Sequence, residues 1–220
     1  MKGRAKRQIE LDGAALHGGS RYHGTEDFGK DNMRLKTEQI TESSCFWNKV
    51  NALAKEAFPP EEYIAPTKLV EMAKADNFDF LALTDNGSFV GFMAVQTYKN
   101  LVYLFFLAID TCCRSKGYGS HAIETLKASY PGKNQIVDFE MPDDTAENHI
   151  QREKRRKFYL RNGYRETGLF LSYLGVDYEV FCMEEGFDAE MFKAMMKTIQ
   201  VEGFCPRYFW KRQAGGEGKE

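Results

Sequence analysis

Two clusters of residues in this chain have the types and the spacing to do chemistry. The first is Arg114, Ser115, Lys116, Gly117, Tyr118 and Gly119, a glycine-rich turn directly after the apolar run Leu101–Ile109 and before a helix-like stretch that begins at Ser120. Gly117 and Gly119 permit close approach to the main chain, successive N–H groups point outward, and the following helix offers its positive end to an anion. Strand, glycine turn and helix in that order form a cradle for phosphate. The second cluster is Asp138 with Glu140, placed on one face of an apolar strand by the two-residue period. A pair of acids in a mostly buried strand is costly unless it is paired or used.

The kind of phosphate follows from what surrounds the turn. A nucleoside triphosphate loop needs a lysine and a hydroxyl residue directly after its last glycine, and here Gly119 is followed by Ser120 and His121. A dinucleotide site needs its glycines early in a parallel β-α-β array. Here the turn closes a meander of three strands, Phe78 to Leu83, Phe89 to Tyr98 and Leu101–Ile109, joined by tight turns at Asp85-Asn86-Gly87 and Lys99-Asn100. Gly91 marks a bulge in the middle strand. The third strand does not alternate, so both its faces are covered and it is central in its sheet.

Before the meander, the pattern predicts a short strand over 35–40, a helix carrying Phe46, Trp47, Val50, Leu53, Ala54 and Ala57 that stops at Phe58-Pro59-Pro60, and a second helix over 67–75. After the cradle and its helix come a strand over 135–141, a basic helix over about 150–161 closed by Asn162-Gly163, two strands over 166–174 and 178–183 parted by Gly175, and a last helix capped by Asp188. That last helix carries Met191, Phe192, Met195 and Met196, a stripe that suits either the core or the interface of a homodimer.

Composition narrows the class. The 220 residues suffice for one well-cored domain, and a hydrophobic fraction of 43% is too high for a disordered chain. No apolar run is long enough to span a bilayer, and the basic N-terminus lacks the apolar centre of a secretory signal, so a cytoplasmic location is expected. A net charge of -2 gives no global attraction to nucleic acid or to an anionic membrane. The five cysteines are odd in number and lack C-x-x-C spacing, which fits reduced, buried thiols and neither a disulfide framework nor a metal site.

The order of these elements, the Arg-x-x-Gly-x-Gly turn and, roughly forty residues on, Phe158, Tyr159, Leu160, Arg161, Asn162, Gly163 and Tyr164 together resemble the GNAT superfamily of acyl-CoA-dependent N-acyltransferases. The resemblance implies an α/β fold of the α+β type, with a central mixed, mostly antiparallel sheet of six to seven strands flanked by helices. It assigns that domain to residues 33–200, between a flexible extension over 1–32 and a tail over 201–220. It implies acetyl-CoA as cosubstrate, no metal, and transfer of acetyl to a primary amine of a small molecule or peptide by direct attack in a ternary complex. Leu107, Ala108 and Ile109 would pair through their backbone with the pantetheine arm. Arg114, Ser115, Lys116, Gly117, Tyr118, Gly119 and Ser120 would hold the pyrophosphate, and Tyr159 matches the tyrosine that protonates the departing thiolate. Asn148 departs from the family's spacing for an asparagine that touches pantetheine.

An attacking amine must lose a proton, which calls for a carboxylate or a bound water near the acyl carbon. Glu140, nearer the end of its strand where the cleft should open, is the first candidate for base or amine anchor, with Asp138 second. The alternative for this pair is a salt bridge to Arg152, Arg155 or Arg156 on the basic helix. That helix would otherwise be a solvated face or, as a rival function, a nucleic-acid surface. A second rival is a CoA-binding sensor or partner module of the same fold without turnover.

Overall fold

Asn86 and Gly87 both have positive φ, at 47° and 78°, the conformation that lets two antiparallel strands join through a two-residue turn. They link β2 (Phe78–Asp85) to β3 (Ser88–Tyr98), and Lys99, at φ 50°, helps turn β3 into β4 (Leu101–Ile109). The meander read from the sequence is thus present, in a computed structural model that describes residues 35–58, 62–173, 175–199, 201 and 203–210. The expected extension over 1–32 and the end of the tail lie outside the described residues.

Ahead of the meander stand β1 (Lys36–Gln39), α1 (Trp47–Ala57) and α2 (Pro66–Met72). After it come α3 (Tyr118–Ser129), β5 (Asn134–Glu140), α4 (His149–Arg161), β6 (Arg165–Tyr173), β7 (Val176–Cys182), α5 (Ala189–Met196) and β8 (Arg207–Trp210). The strands form one sheet of eight in the order β1-β2-β3-β4-β5-β7-β6-β8. Every neighbouring pair is antiparallel except β4 with β5. The count exceeds the expected six to seven because residues 207–210 of the tail pair with β6 as an edge strand.

Two cores sandwich the sheet. On one face Val50 and Leu53 of α1, Leu69 of α2, and Phe192 and Met195 of α5 pack with Phe80, Phe92, Tyr103, Ile136 and Val180. On the other, Ile123 and Leu126 of α3 and Tyr159 of α4 pack with Leu83, Val95, Val102, Val137 and Phe181. The apolar stripe of α5 belongs to the first core, since Phe192, Met195 and Met196 are all buried. Asp188 caps that helix, its side chain accepting from the Met191 N–H at 2.8 Å. The bulge expected near Gly91 is present, with a register shift beside it between β2 and β3. A Cβ at Gly91 would sit 2.1 Å from the Ala108 carbonyl oxygen, so only glycine lets β3 run this close to the end of β4.

The thiols correct one expectation. Only Cys182 is buried; Cys45, Cys112 and Cys205 are exposed and Cys113 is intermediate. Apolar neighbours in sequence did not bury Cys112 and Cys113, because both fall in a short 3-10 turn, Thr111–Cys113, on the rim of the molecule.

Candidate active site

β4 and β5 pair at only three positions, Leu101 with Asn134, Val102 with Gln135 and Tyr103 with Ile136. Beyond them the strands part, and the cause lies on the other side of β4. Ala94 of β3 pairs with Phe106 and Val95 with Leu104, so Phe105 is an extra residue on β4. A bulge bends and twists the strand that carries it. It also turns two consecutive side chains, Phe105 and Phe106, toward the same core, their ring centroids 4.7 Å apart. Past the bulge, Leu107, Ala108 and Ile109 pair with β3 on one side and, among the described residues, with no strand on the other, an edge in the middle of the sheet.

The glycine turn follows directly. Ser115 and Gly117 have positive φ, at 61° and 88°, and Gly117 is the residue from which α3 starts. Gly117 has no side chain with which to cap α3, and among the described residues no other side chain bonds there, so the first-turn N–H groups remain available to an anion. Gly119 has a second reason to be glycine: a Cβ there would meet the Phe158 ring at 3.1 Å. The turn and the later Phe158-Tyr159 pair are therefore parts of one contact between α3 and α4. The basic side chains of the turn are engaged locally. Arg114 donates from Nε to the Ile109 carbonyl at 3.0 Å and pairs with Glu56 of α1 at 2.9 Å, and Lys116 donates to the Cys112 carbonyl at 2.7 Å. Tyr118 is tied to the β2–β3 turn, its hydroxyl donating to Asp85 at 2.8 Å.

Behind the parted strands is a cavity of about 360 Å³. Its lining draws on both cores, Phe139 and Tyr159 from one, Tyr103, Leu171 and Tyr178 from the other. The split thus lets side chains from opposite faces of the sheet meet. Tyr159 is 8% exposed, stacked on Phe139 at 5.1 Å and edge-on to Phe158 and Tyr164. The hydroxyls of Tyr103, Tyr164 and Tyr178 each donate to an acceptor at 2.5–2.9 Å, whereas that of Tyr159 has no partner among the described residues. Burial raises the Tyr159 phenol to about 12, with Asp138 adding to the rise and Arg155 opposing it.

Asp138 and Glu140 part company here. Asp138 lines the cavity and accepts a 2.5 Å hydrogen bond from Tyr103. Burial, reinforced by the charge of Glu62, raises its carboxyl to about 6 against the opposing Tyr103 hydrogen bond. Glu140 is instead held by Arg152 at 3.1 Å, by Arg155 at 2.9 Å and by the Asn148 amide at 3.0 Å. The Glu140 carboxylate is thus committed to two guanidiniums, the salt-bridge alternative for this pair, whereas Asp138 faces the cavity. Asn148 belongs to this cluster, accepting from Arg152 at 2.7 Å.

Three arginines of the basic helix, Arg152, Arg155 and Arg156, are paired with acids of the sheet. Besides Arg152 and Arg155 on Glu140, Arg156 bonds Glu179 at 2.9 Å and also Glu166, and Lys157 pairs with Glu153. Three contributions to the site were not anticipated: Tyr103, Glu62 and Glu56. Each acts through a partner distant in sequence, a relation that no local pattern encodes.

A mixed sheet parted in its middle, with a helix N-terminus at the mouth of the split and a tyrosine and a carboxylate behind it, defines an acyl-CoA-type transferase fold. The model of the acetyltransferase (GNAT) domain matches residues 76–166, which include the meander, the cradle and Tyr159, and the fold is that of the GNAT acetyltransferases. No curated protein sequence matches it. Among solved structures, a protein described as a GNAT-family acetyltransferase from Bacteroides thetaiotaomicron is 22% identical, aligns over 74% of this chain and 94% of its own, and has a TM-score of 0.57. An aminoglycoside 6'-N-acetyltransferase in complex with coenzyme A is 18% identical over 70% of this chain and 99% of its own, TM-score 0.54. The aminoglycoside 6'-N-acetyltransferase of Enterococcus faecium is 16% identical over the same shares, 70% and 99%, TM-score 0.51. At these identities the likeness is one of fold. Among the described residues, no helix is long and apolar enough to cross a membrane.

Proposed function

We propose that the protein is an acetyl-CoA-dependent N-acetyltransferase acting on a primary amine of a small molecule or peptide by direct attack in a ternary complex. The observation that carries this reading is the meeting of the Tyr159 hydroxyl and the Asp138 carboxyl in one cavity beside the unpaired edge of β4. The backbone of Leu107, Ala108 and Ile109 would pair with pantetheine, and the main chain from Arg114 through Ser115, Lys116, Gly117, Tyr118 and Gly119 to Ser120 would hold the pyrophosphate. The solved aminoglycoside enzyme carries coenzyme A on the same kind of fold, which supports the choice of donor.

Asp138 takes one proton from the ammonium. Its raised pKa places it nearer the working range of a base than an ordinary carboxyl, and the aromatic lining weakens the ammonium's hold on its proton. The amine nitrogen then bonds to the thioester carbonyl carbon, and collapse of the adduct breaks the C–S bond with its electron pair on sulfur. Tyr159, protonated at all physiological pH, donates to that sulfur and recovers its proton from the amide nitrogen through solvent. Holding the two reactants in line supplies the larger share of the acceleration.

The test is release of free thiol on mixing with acetyl-CoA and an amine panel. Tyr159→Phe should lower turnover roughly tenfold or more while the affinity for acetyl-CoA stays within a factor of about two. Unchanged turnover would remove Tyr159 from the chemistry, and no thiol release with any amine would remove the reaction.

A further inference from the structure

Asp138 stands two residues past the last contact between the parted strands, since β4 and β5 stop pairing at Tyr103 with Ile136. Its backbone is paired with β7 at Val180, and among the described residues no strand supports it from the side of β4. What crosses the gap is a side chain. Tyr103 and Ile136 belong to the same core, and the two-residue period puts Asp138 on that face, where the Tyr103 hydroxyl donates to its Oδ1 at 2.5 Å. The ring that carries this hydroxyl is itself fixed: it is buried, edge-on to Phe105 at 5.8 Å and to Phe192 of α5 at 6.1 Å. Burial, with the charge of Asp138 adding to it, raises the Tyr103 phenol well above its ordinary value, so the hydroxyl stays protonated and acts as the donor.

The other ionisable groups around Asp138 are Glu62 ahead of α2, Tyr159 and Arg155 of α4, Tyr178 of β7 and Tyr208 of β8. Burial and the charge of Glu62 oppose the ionised carboxylate. Of the two hydrogen bonds that favour it, from Tyr103 and from its own backbone N–H, that of Tyr103 is the larger. Resting on the acetyltransferase reading above, in which Asp138 takes the proton of the amine, we propose that Tyr103 is the positioning residue of that base: its side chain bridges the split between β4 and β5, holds Oδ1, and leaves Oδ2 to receive the proton. A carboxylate beyond the end of strand pairing needs another hold if it is to meet the amine in one orientation, and a hydroxyl on a packed ring provides it. The split that opens the cavity thus makes the base depend on a residue of the strand across the opening.

The test is a pH titration of the Asp138 carboxyl on the full chain, read by NMR from isotope-labelled aspartate and assigned with Asp138→Asn, beside the pH profile of kcat/KM. In the wild type the midpoint should lie at about 6. Tyr103→Phe keeps the ring and removes the donor, so it should raise the midpoint by about one unit or more. The acid limb of kcat/KM should move up with it, while the dissociation constant of acetyl-CoA stays within about twofold. Fluorotyrosine in place of Tyr103, a more acidic donor of nearly the same shape, should lower both midpoint and limb, a graded response that a contact of shape alone would not give. A midpoint indifferent to both replacements overturns the proposal. So does a midpoint that moves with Tyr103→Phe while the limb of kcat/KM stays in place, since Asp138 would then not be the base. No thiol release with any amine would overturn the acetyl-transfer reading itself, and the carboxyl titration would still decide whether Tyr103 governs Asp138.

Discussion

The cradle at residues 114–120 and the cavity behind the parted strands use the chain in opposite ways. The cradle presents main chain: two positive-φ residues, an uncapped helix start, and basic side chains turned onto neighbouring carbonyls and Glu56. The cavity presents side chains: rings from both cores and carboxylates held by tyrosines. A backbone site tolerates many side chains but few changes of backbone angle. A side-chain site is the reverse, so the two halves should fail in different ways when altered.

The largest effect is expected on the cavity side. Asp138→Asn should lower kcat/KM about a hundredfold or more and leave the dissociation constant of acetyl-CoA nearly unchanged, as steady-state kinetics and calorimetry would show. In the wild type, a base with its pKa raised to about 6 is lost on protonation, so kcat/KM should fall as pH drops through that value. The sign for stability is the opposite. The native state holds this proton more firmly than the unfolded chain, so ionisation of Asp138 subtracts stability as pH rises from its ordinary range to about 6, and Asp138→Asn should flatten that slope in urea titrations.

Glu140→Ala comes next and tests the contrast within one strand. It strands Arg152 and Arg155, so it should cost about 3 kcal/mol of stability in a urea denaturation curve. A loss of turnover without a loss of stability would return Glu140 to the role of base. On the cradle side, Gly117→Ala forces a Cβ into a left-handed conformation at φ 88°. The strain of about 1 kcal/mol should appear as a several-fold weaker affinity for acetyl-CoA with kcat preserved. The smallest effect is expected for Arg114→Ala. Its guanidinium is half-exposed and paired with Glu56, so affinity for acetyl-CoA should change by no more than about threefold, and less at high salt. A tenfold loss there would make the cradle a side-chain site after all.

The same division explains what could be read in advance. The meander, the central place of β4, the cradle and the Asp188 cap were legible because glycine spacing, turn pairs and apolar runs act locally. The surroundings of Asp138 and Glu140 were legible only in part: the arginines of α4 on Glu140 stood among the alternatives, whereas Tyr103 and Glu62 beside Asp138 did not. The bulge at Phe105 leaves only a faint trace, two adjacent phenylalanines in a run without alternation. β8 was missed because four residues in a tail of mixed character become a strand only once β6 offers an edge.

The three-residue pairing between β4 and β5 has a consequence for the life of the protein outside catalysis. An edge that opens within a sheet is a template for any extended chain, a second protein molecule included. Acetyl-CoA lying along that edge would cover it, and by mass action would raise the melting temperature in proportion to the logarithm of its concentration. Cosubstrate supply would then govern not only how fast the protein works but how long it stays folded and dispersed, coupling the cell's acetyl-CoA level to the amount of protein available.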